Sequence, residues 1–189
     1  MRITGFTFAS CLSFFLVVVV SLSSPVHAVE SGPAVGEKVS PFKLLVLADD
    51  DNTYSEQDVV AKRKDKLSVY AFVQAAEWSR PMARYLRDLD KVLDGLGGEA
   101  RMAAIWLTDD QKKSKQYLPR GRGALKLKAT TFAVYAGDKS GPNGWGINSD
   151  AFLTVVVTRN GKVVKSFAYL SVNTTDIPDV RKTLRSSKK

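Results

Sequence analysis

The chain has 189 residues, with 28 Lys and Arg against 19 Asp and Glu for a formal charge of +9, one cysteine (Cys11) and one histidine (His27). A lone cysteine excludes an internal disulfide framework, and one cysteine with one histidine excludes a Cys/His metal centre. A cationic balance of this size favours association with anionic surfaces without specifying which.

Residues 1–28 begin with a single cation, Arg2, carry an apolar run over residues 12–20 and end in Val26, His27 and Ala28. This is the pattern of a secretory signal with a small-residue cleavage site. The run is short for a membrane span, and retention as an uncleaved N-terminal anchor is the alternative. A lipoprotein reading fails because the apolar run follows Cys11 instead of preceding it. Cleavage after Ala28 removes Cys11, His27 and Arg2, and leaves 161 residues with 27 cations against 19 anions, a formal charge of +8. The expected product is one exported domain, periplasmic or secreted, without an integral span. It holds no thiol nucleophile or histidine base, and it is long enough to bury about 68 to 70% of its unfolded surface.

Residues 29–41 are a polar, Gly- and Pro-containing lead-in, and residues 42–47 read as a first strand. Asp49, Asp50, Asp51 and Asn52 follow. They lack the central glycine and closing glutamate of a calcium loop, so they read as an acidic surface turn with no metal. Residues 55–66 are polar, with a short helix or turn beside Val59 and Val60.

The stretch over residues 67–93 organises the chain. Leu67, Val69, Ala71 and Val73 alternate with Tyr70 and Phe72, so both faces are apolar, as in an interior strand covered on each side. From Ser79 the period becomes helical: Met82, Tyr85, Leu86, Leu89, Val92 and Leu93 form one stripe, opposite Arg84, Arg87, Asp88 and Lys91. The Ser79 hydroxyl is placed to cap the first turn.

Between strand and helix lie Ala76, Glu77, Trp78, Ser79, Arg80, Pro81 and Met82. This junction resembles the active-site turn of the thioredoxin superfamily, Trp-Cys-x-Pro-Cys. Trp78 and Pro81 match, while Ser79 and Met82 stand where the family has its nucleophilic and resolving cysteines. The family's first cysteine works as a thiolate stabilised by a helix N-terminus. A serine hydroxyl stays protonated near neutral pH, and a thioether forms no disulfide. Val35, Gly36, Pro41 and Phe42 likewise resemble the VGxxAPxF opening of the peroxiredoxin and redoxin branch.

Gly95, Gly97 and Gly98 are expected to end the helix, residues 100–107 to form a strand, and Thr108, Asp109 or Asp110 to cap a helix from Gln111 that Pro119 ends after Leu118. Strand, helix, strand, helix in succession predicts parallel strands with right-handed crossovers. Residues 112–128 carry Lys112, Lys113, Lys115, Arg120, Arg122, Lys126 and Lys128 without an acid. A patch for acidic polymers is one reading and a solvated helix face the other. Without interleaved aromatics to stack bases, nucleic acid is not an expected partner.

Residues 130–136 read as a strand. Residues 137–150 are a long loop in which Trp145 either covers the core or binds a ligand, the former being commoner. Residues 152–169 form two β-rich runs joined at Arg159, Asn160 and Gly161, a hairpin signal. They resemble the redoxin segment in which a cis-proline precedes two strands. Phe152 stands at that proline's place, and no proline lies between Pro142 and Pro178. Thr175 or Asp176 is expected to cap a last helix that turns Val180 and Leu184 inward, and residues 186–189 form a basic tail. Asn173, Thr174 and Thr175 make a glycosylation sequon, relevant in a eukaryotic host.

The resemblance spans about residues 33–185, with the domain proper over 42–185, and implies an α/β fold: a thioredoxin-like three-layer sandwich, a central mixed sheet with helices on both faces. Three functions follow. One is an exported, redox-inactive domain binding an unknown protein or peptide, without cofactor, at Glu77, Trp78, Ser79, Arg80, Pro81, Met82 and Phe152. A second is an oxidoreductase by family type, or a thiol-independent enzyme on Glu77, Ser79 and Arg80, for which no partner base can be named. The third is a basic module adhering to anionic envelope polymer or lipid.

Overall fold

Strand β3 (Leu67–Gln74) is buried at every position and lies inside a seven-stranded mixed sheet in this computed structural model, which describes residues 29–50 and 52–188. The leader, with Cys11 and His27, lies outside the described residues, as do Asp51 and Lys189. The other strands are β1 (Leu44–Leu47), β2 (Tyr54–Gln57), β4 (Ala100–Leu107), β5 (Thr130–Val134), β6 (Leu153–Arg159) and β7 (Lys162–Tyr169), in the order β2-β1-β5-β4-β3-β6-β7. β3, β4 and β5 are mutually parallel, from Leu67↔Ala100 to Gln74↔Leu107 and from Met102↔Thr130 to Trp106↔Val134. β6 runs antiparallel to β3 and pairs with β7 as a hairpin. The turn between them places Asn160 at φ 53° and Gly161 at φ 68°, the two positive values that a tight hairpin turn matching strand twist requires.

Helices α1 (Val59–Lys62), α2 (Arg80–Asp94), α3 (Gln111–Leu125) and α4 (Ile177–Ser186) complete the fold. The two-residue period of β3 divides the core. Val69, Ala71 and Val73 face Leu86, Leu89 and Leu93 of α2, Leu118 of α3, and Val180 and Leu184 of α4. Tyr70 and Phe72 face the opposite way, toward Val60 of the one-turn α1, Phe42 and Trp145. Two right-handed crossovers that step in the same direction along the sheet put α2 and α3 on the same side. The second face is therefore closed mainly by irregular backbone.

Trp145 is the centre of that closure and is fully buried. Its ring meets Phe42, Tyr70 and Phe72 at centroid distances of 5.2, 5.1 and 5.2 Å, and its Nε1 donates to Ser40 O at 2.9 Å. It is thus a core residue. The lead-in is bonded down along its length. Gly32 N donates to Gly146 O at 2.9 Å, Gly36 N to Val163 O at 2.8 Å, and Val39 N to Gly161 O at 3.0 Å, while Ser31 Oγ and Thr154 Oγ1 lie 2.6 Å apart. Gly32, at φ 96°, passes so close to β7 that a Cβ there would meet Ser166 Oγ at 2.8 Å.

Three local expectations are corrected. Residues 54–57 form strand β2, which their polar composition concealed; β2 is the outer edge of the sheet and pairs only with β1, so most of its side chains meet solvent. Helix α3 does not end at Leu118 but runs through Pro119 to Leu125. Proline cannot donate to the carbonyl four residues back, and that carbonyl, Lys115 O, accepts instead from the Tyr54 hydroxyl at 2.9 Å. Ser79 occupies the N-cap of α2 in an extended conformation, yet its hydroxyl makes no capping bond. Pro81, in the first turn, removes one of the two amide donors such a cap uses. By contrast Asp110 caps α3, its Oδ1 accepting from Lys113 N at 2.9 Å.

Candidate functional site at the strand-to-helix corner

β3 ends at Gln74, whose Nε2 donates to Lys139 O at 3.1 Å, and the chain then makes a single 3-10 turn (Ala75–Glu77) before Trp78 and Ser79 lead into α2. Glu77, Ser79, Arg80 and Pro81 are exposed on the outside of this corner, and Trp78 is half-buried. Met82, in the first turn of α2, is only 1% exposed and belongs to the core. Phe152 is half-buried beside the corner; its carbonyl accepts from Gln74 N at 3.1 Å and its amide donates to Tyr169 O at 2.8 Å. No peptide bond among the described residues is cis.

The structure therefore brings Ser79 and Met82 to the mouth of one strand-to-helix corner but gives them different surroundings. Ser79 is open to solvent, with neither cysteine nor histidine among the described residues to act on or with it. No hydrogen bond among the described residues joins its hydroxyl to Glu77 or Arg80. Met82 is sealed under α2, where its thioether packs as an apolar group.

A cleft of about 480 Å³ opens on the other side of Trp78, above the carboxyl ends of β3 and β4. Its walls are Trp78, Trp106 at the end of β4, and Tyr117 on α3. The two indoles lie 4.9 Å apart, and Trp78 Nε1 donates to the Tyr117 hydroxyl at 2.6 Å, which fixes the ring's orientation. Thr108, Asp109, Asp110, Lys113 and Lys139 form the polar rim. Sequence reasoning found Trp78 and missed the rest, because they come from the end of β4, the first turns of α3 and the loop after β5. The usable signal was Trp106 near the carboxyl end of a parallel strand, since α/β sheets concentrate binding sites at the carboxyl ends of their strands.

The basic run over residues 112–128 is partly absorbed by the fold. Arg122 donates to Ala48 O and, at 2.7 Å, to Asn52 Oδ1, and it lies 4.0 Å from Asp49 of the acidic turn. Lys115 sits over the Tyr54 ring at 5.3 Å, and Lys128 Nζ is 3.9 Å from Asp94. Lys112, Lys113, Arg120 and Lys126 remain exposed. No helix among the described residues is long and apolar enough to cross a membrane.

Beneath α2, the hydroxyls of Tyr85 and Tyr169 meet at 3.3 Å. Burial pushes the Tyr169 phenol up to about 12, with Asp176 and Asp179 adding to it, although the bond from Tyr85 pulls it back. Burial also holds Tyr85 well above the usual phenol range. A phenol that keeps its proton more tightly when folded contributes stability that is intact below about pH 10 and is lost as pH rises toward about 12. Urea titrations across that window should show stability falling more steeply for the wild type than for a Tyr85→Phe/Tyr169→Phe variant. Parallel curves would show that the pair is not coupled to folding.

No protein-family model matches the sequence, and no curated protein matches it. Solved structures do. A DsbF homologue from Corynebacterium diphtheriae superposes with a TM-score of 0.57 at 20% identity, covering 80% of this chain and 87% of that one. Peroxidoxin BcpB from Mycobacterium tuberculosis gives 0.57 at 17%, covering 82% and 97%. A thiol peroxidase from Chromobacterium violaceum gives 0.56 at 13%, covering 86% and 92%. At these identities the likeness carries the fold alone: an interior parallel strand turning into a helix, flanked by an antiparallel hairpin, in the thioredoxin-like arrangement.

Proposed function

We propose that this is an exported, redox-inactive thioredoxin-like domain that works by binding a segment of a partner protein at the corner beside Trp78. The observation carrying the proposal is the pairing of an aromatic-walled cleft with a corner that offers no reagent. Thiol exchange needs a thiolate and a second sulfur that can close a disulfide. Here Ser79 supplies an unassisted hydroxyl and Met82 a buried thioether. Trp78 instead presents a fixed, half-buried ring next to about 480 Å³ of largely apolar space, within the size range of ligand sites. Export is supported by the leader pattern of residues 1–28.

The protein recovered after export is expected to give no turnover in insulin-disulfide reduction or peroxide consumption. Passed over an envelope extract, it should retain a partner that persists at about 0.5 M salt and is lost with Trp78→Ala. Sustained turnover in either assay overturns the redox-inactive reading. Retention that ignores Trp78→Ala and vanishes with salt overturns the corner as binding site, and points to the cations that remain exposed on α3.

A further inference from the structure

We infer that the cleft behind Trp78 takes a glutamine side chain of the partner segment, its carboxamide reaching the floor and bonding to Gln74, Trp106 and Ser114. The inference rests on the peptide-binding reading above and names the chemistry of the occupant. It starts from three polar atoms that the fold leaves open. Gln74, Trp106 and Ser114 all line the cleft and are only 7%, 2% and 6% exposed. The Gln74 amide is oriented by its bond from Nε2 to Lys139 O at 3.1 Å; a carbonyl can only accept, so Oε1 is the free end. Trp106 is packed against Trp78 at 4.9 Å and Phe132 at 5.6 Å, yet its Nε1 donates to no atom among the described residues. Ser114 N donates to Asp110 O at 3.1 Å within α3, while Ser114 Oγ makes no bond among the described residues. No sealed side-chain polar atom among the described residues lacks a partner. These three therefore each keep an opening, and the cleft is the open space their residues share.

That floor selects its occupant. An aliphatic side chain or methionine would strip water from a donor and an acceptor and return no bond, which costs more than a formed bond contributes. The rim carries two acids and two lysines, with Asp109 3.3 Å from Lys139 and Asp110 on the same turn as Lys113, so no net charge calls an ionic group inward. A carboxylate would also set its charge against Gln74 Oε1. A carboxamide matches all three atoms at once: its NH₂ donates to Gln74 Oε1, and its carbonyl accepts from Trp106 Nε1 and Ser114 Oγ.

Depth then fixes the length of the stem. The open polar atoms belong to side chains more than nine-tenths buried, whereas Ala76 and Tyr117 at the mouth are exposed, so the polar head must arrive on an apolar stem. Glutamine supplies two methylenes and asparagine one. Serine and threonine hydroxyls sit on shorter stems still, and tyrosine would have to force a ring among indoles already packed on one another. The volume of about 480 Å³ leaves room at the mouth for the backbone of the segment.

The exported protein, labelled with ¹⁵N, is titrated with N-acetyl-Ala-Gln-Ala-amide and with the same peptide carrying Met, Glu or Asn at its centre, while the three indole N–H signals are followed. Trp145, buried on the opposite face of the sheet, is the internal control. The glutamine peptide should move the Trp106 signal downfield, as a newly formed hydrogen bond requires, and leave Trp145 in place. The Met peptide, equal in length but without the polar head, and the Glu and Asn peptides should each bind about tenfold more weakly. Ser114→Ala and Gln74→Met should each weaken the glutamine peptide about fivefold with the Trp145 signal unchanged. An unmoved Trp106 signal, any of the three other peptides binding as tightly as the glutamine peptide, or wild-type affinity in both variants overturns the inference. Partner retention that still depends on Trp78 under those outcomes would leave the broader binding function standing.

Discussion

Trp145→Ala is expected to lower the unfolding free energy by about 4 kcal/mol. The ring is wholly buried although it belongs to the longest stretch without regular structure among the described residues. It contacts three other aromatic rings from two separate segments, and its N–H satisfies Ser40 O. Truncation leaves a large cavity between the sheet and a covering layer that has only one short helix to support it, and leaves the Ser40 carbonyl without its donor. Trp145→Phe keeps most of the packing and loses the hydrogen bond, so a cost of about 1 to 2 kcal/mol is expected. Val35→Ala, at a position 72% exposed, should fall within about 0.5 kcal/mol of wild type. Urea midpoints at unchanged slope measure all three. Amide exchange at Gly32, whose N–H bonds to Gly146 O one residue from Trp145, should quicken in the alanine variant. A Trp145→Ala protein as stable as Val35→Ala would show that the second face is closed by something other than this ring.

Set against a total stability of about 5 to 15 kcal/mol, a loss of that size explains how so much irregular backbone can serve as a core layer. The parallel crossovers place α2 and α3 over one face, where α4 joins them after β7, and leave the other to the lead-in, α1 and residues 137–150. One large ring, satisfied at its only donor, gathers those pieces. The arrangement also bears on the site. The segment containing Trp145 begins beside Lys139, whose carbonyl holds Gln74 at the end of β3. The far wall of the cleft and the cover of the second face are continuous chain.

The period of residues 67–93 made the central strand and α2 legible, because both are specified by local spacing of apolar residues. Met82, Tyr85, Leu86, Leu89 and Leu93 are all buried where the stripe placed them. Asn160 and Gly161 announced their turn because positive φ at two successive positions has few chemical solutions. What was not legible depends on partners distant in sequence. Pro119 ends a helix on local rules, and Tyr54, sixty-one residues before Lys115, supplies the donor for the carbonyl that the proline leaves open. Strand β2 carries no apolar alternation because an edge strand does not need it. The corner was legible as far as Trp78. The cleft behind it was not, because Trp106, Lys113, Tyr117 and Lys139 converge only after β4, α3 and the loop following β5 are in place.

Asp90 escaped sequence reasoning as well, and the expected loss for Asp90→Ala is about 3 to 4 kcal/mol. It lies on α2, only 4% exposed, and is satisfied without any cation: its Oδ2 accepts from Lys128 N at 2.9 Å, and its Oδ1 from Ala129 N at 2.8 Å and Thr130 Oγ1 at 2.6 Å. Those donors are the three residues at which the chain enters β5, so one carboxylate ties the later turns of α2 to the start of a strand two places away in the sheet. Alanine leaves two backbone N–H groups and a hydroxyl facing a void, and buried donors without acceptors cost far more than a formed bond contributes. Asparagine has a single acceptor oxygen and turns an NH₂ toward another donor, so Asp90→Asn should recover no more than about half of the loss. Thr130→Val, which removes one of the three donors and leaves the carboxylate two, should cost about 1 kcal/mol. The ordering Ala, then Asn, then Thr130→Val in urea midpoint separates this account from a simple cavity at Asp90. In that case asparagine, nearly the same size, would behave like wild type. Because α2 carries the corner at its other end, the variants also test whether the site depends on this anchor. A folded Thr130→Val protein should keep the Trp78 indole signal of the wild type, while Asp90→Asn should broaden it as α2 shifts on the sheet. An unshifted, sharp Trp78 signal in Asp90→Asn would show that the corner is held by its own packing against Trp106 and Tyr117 alone.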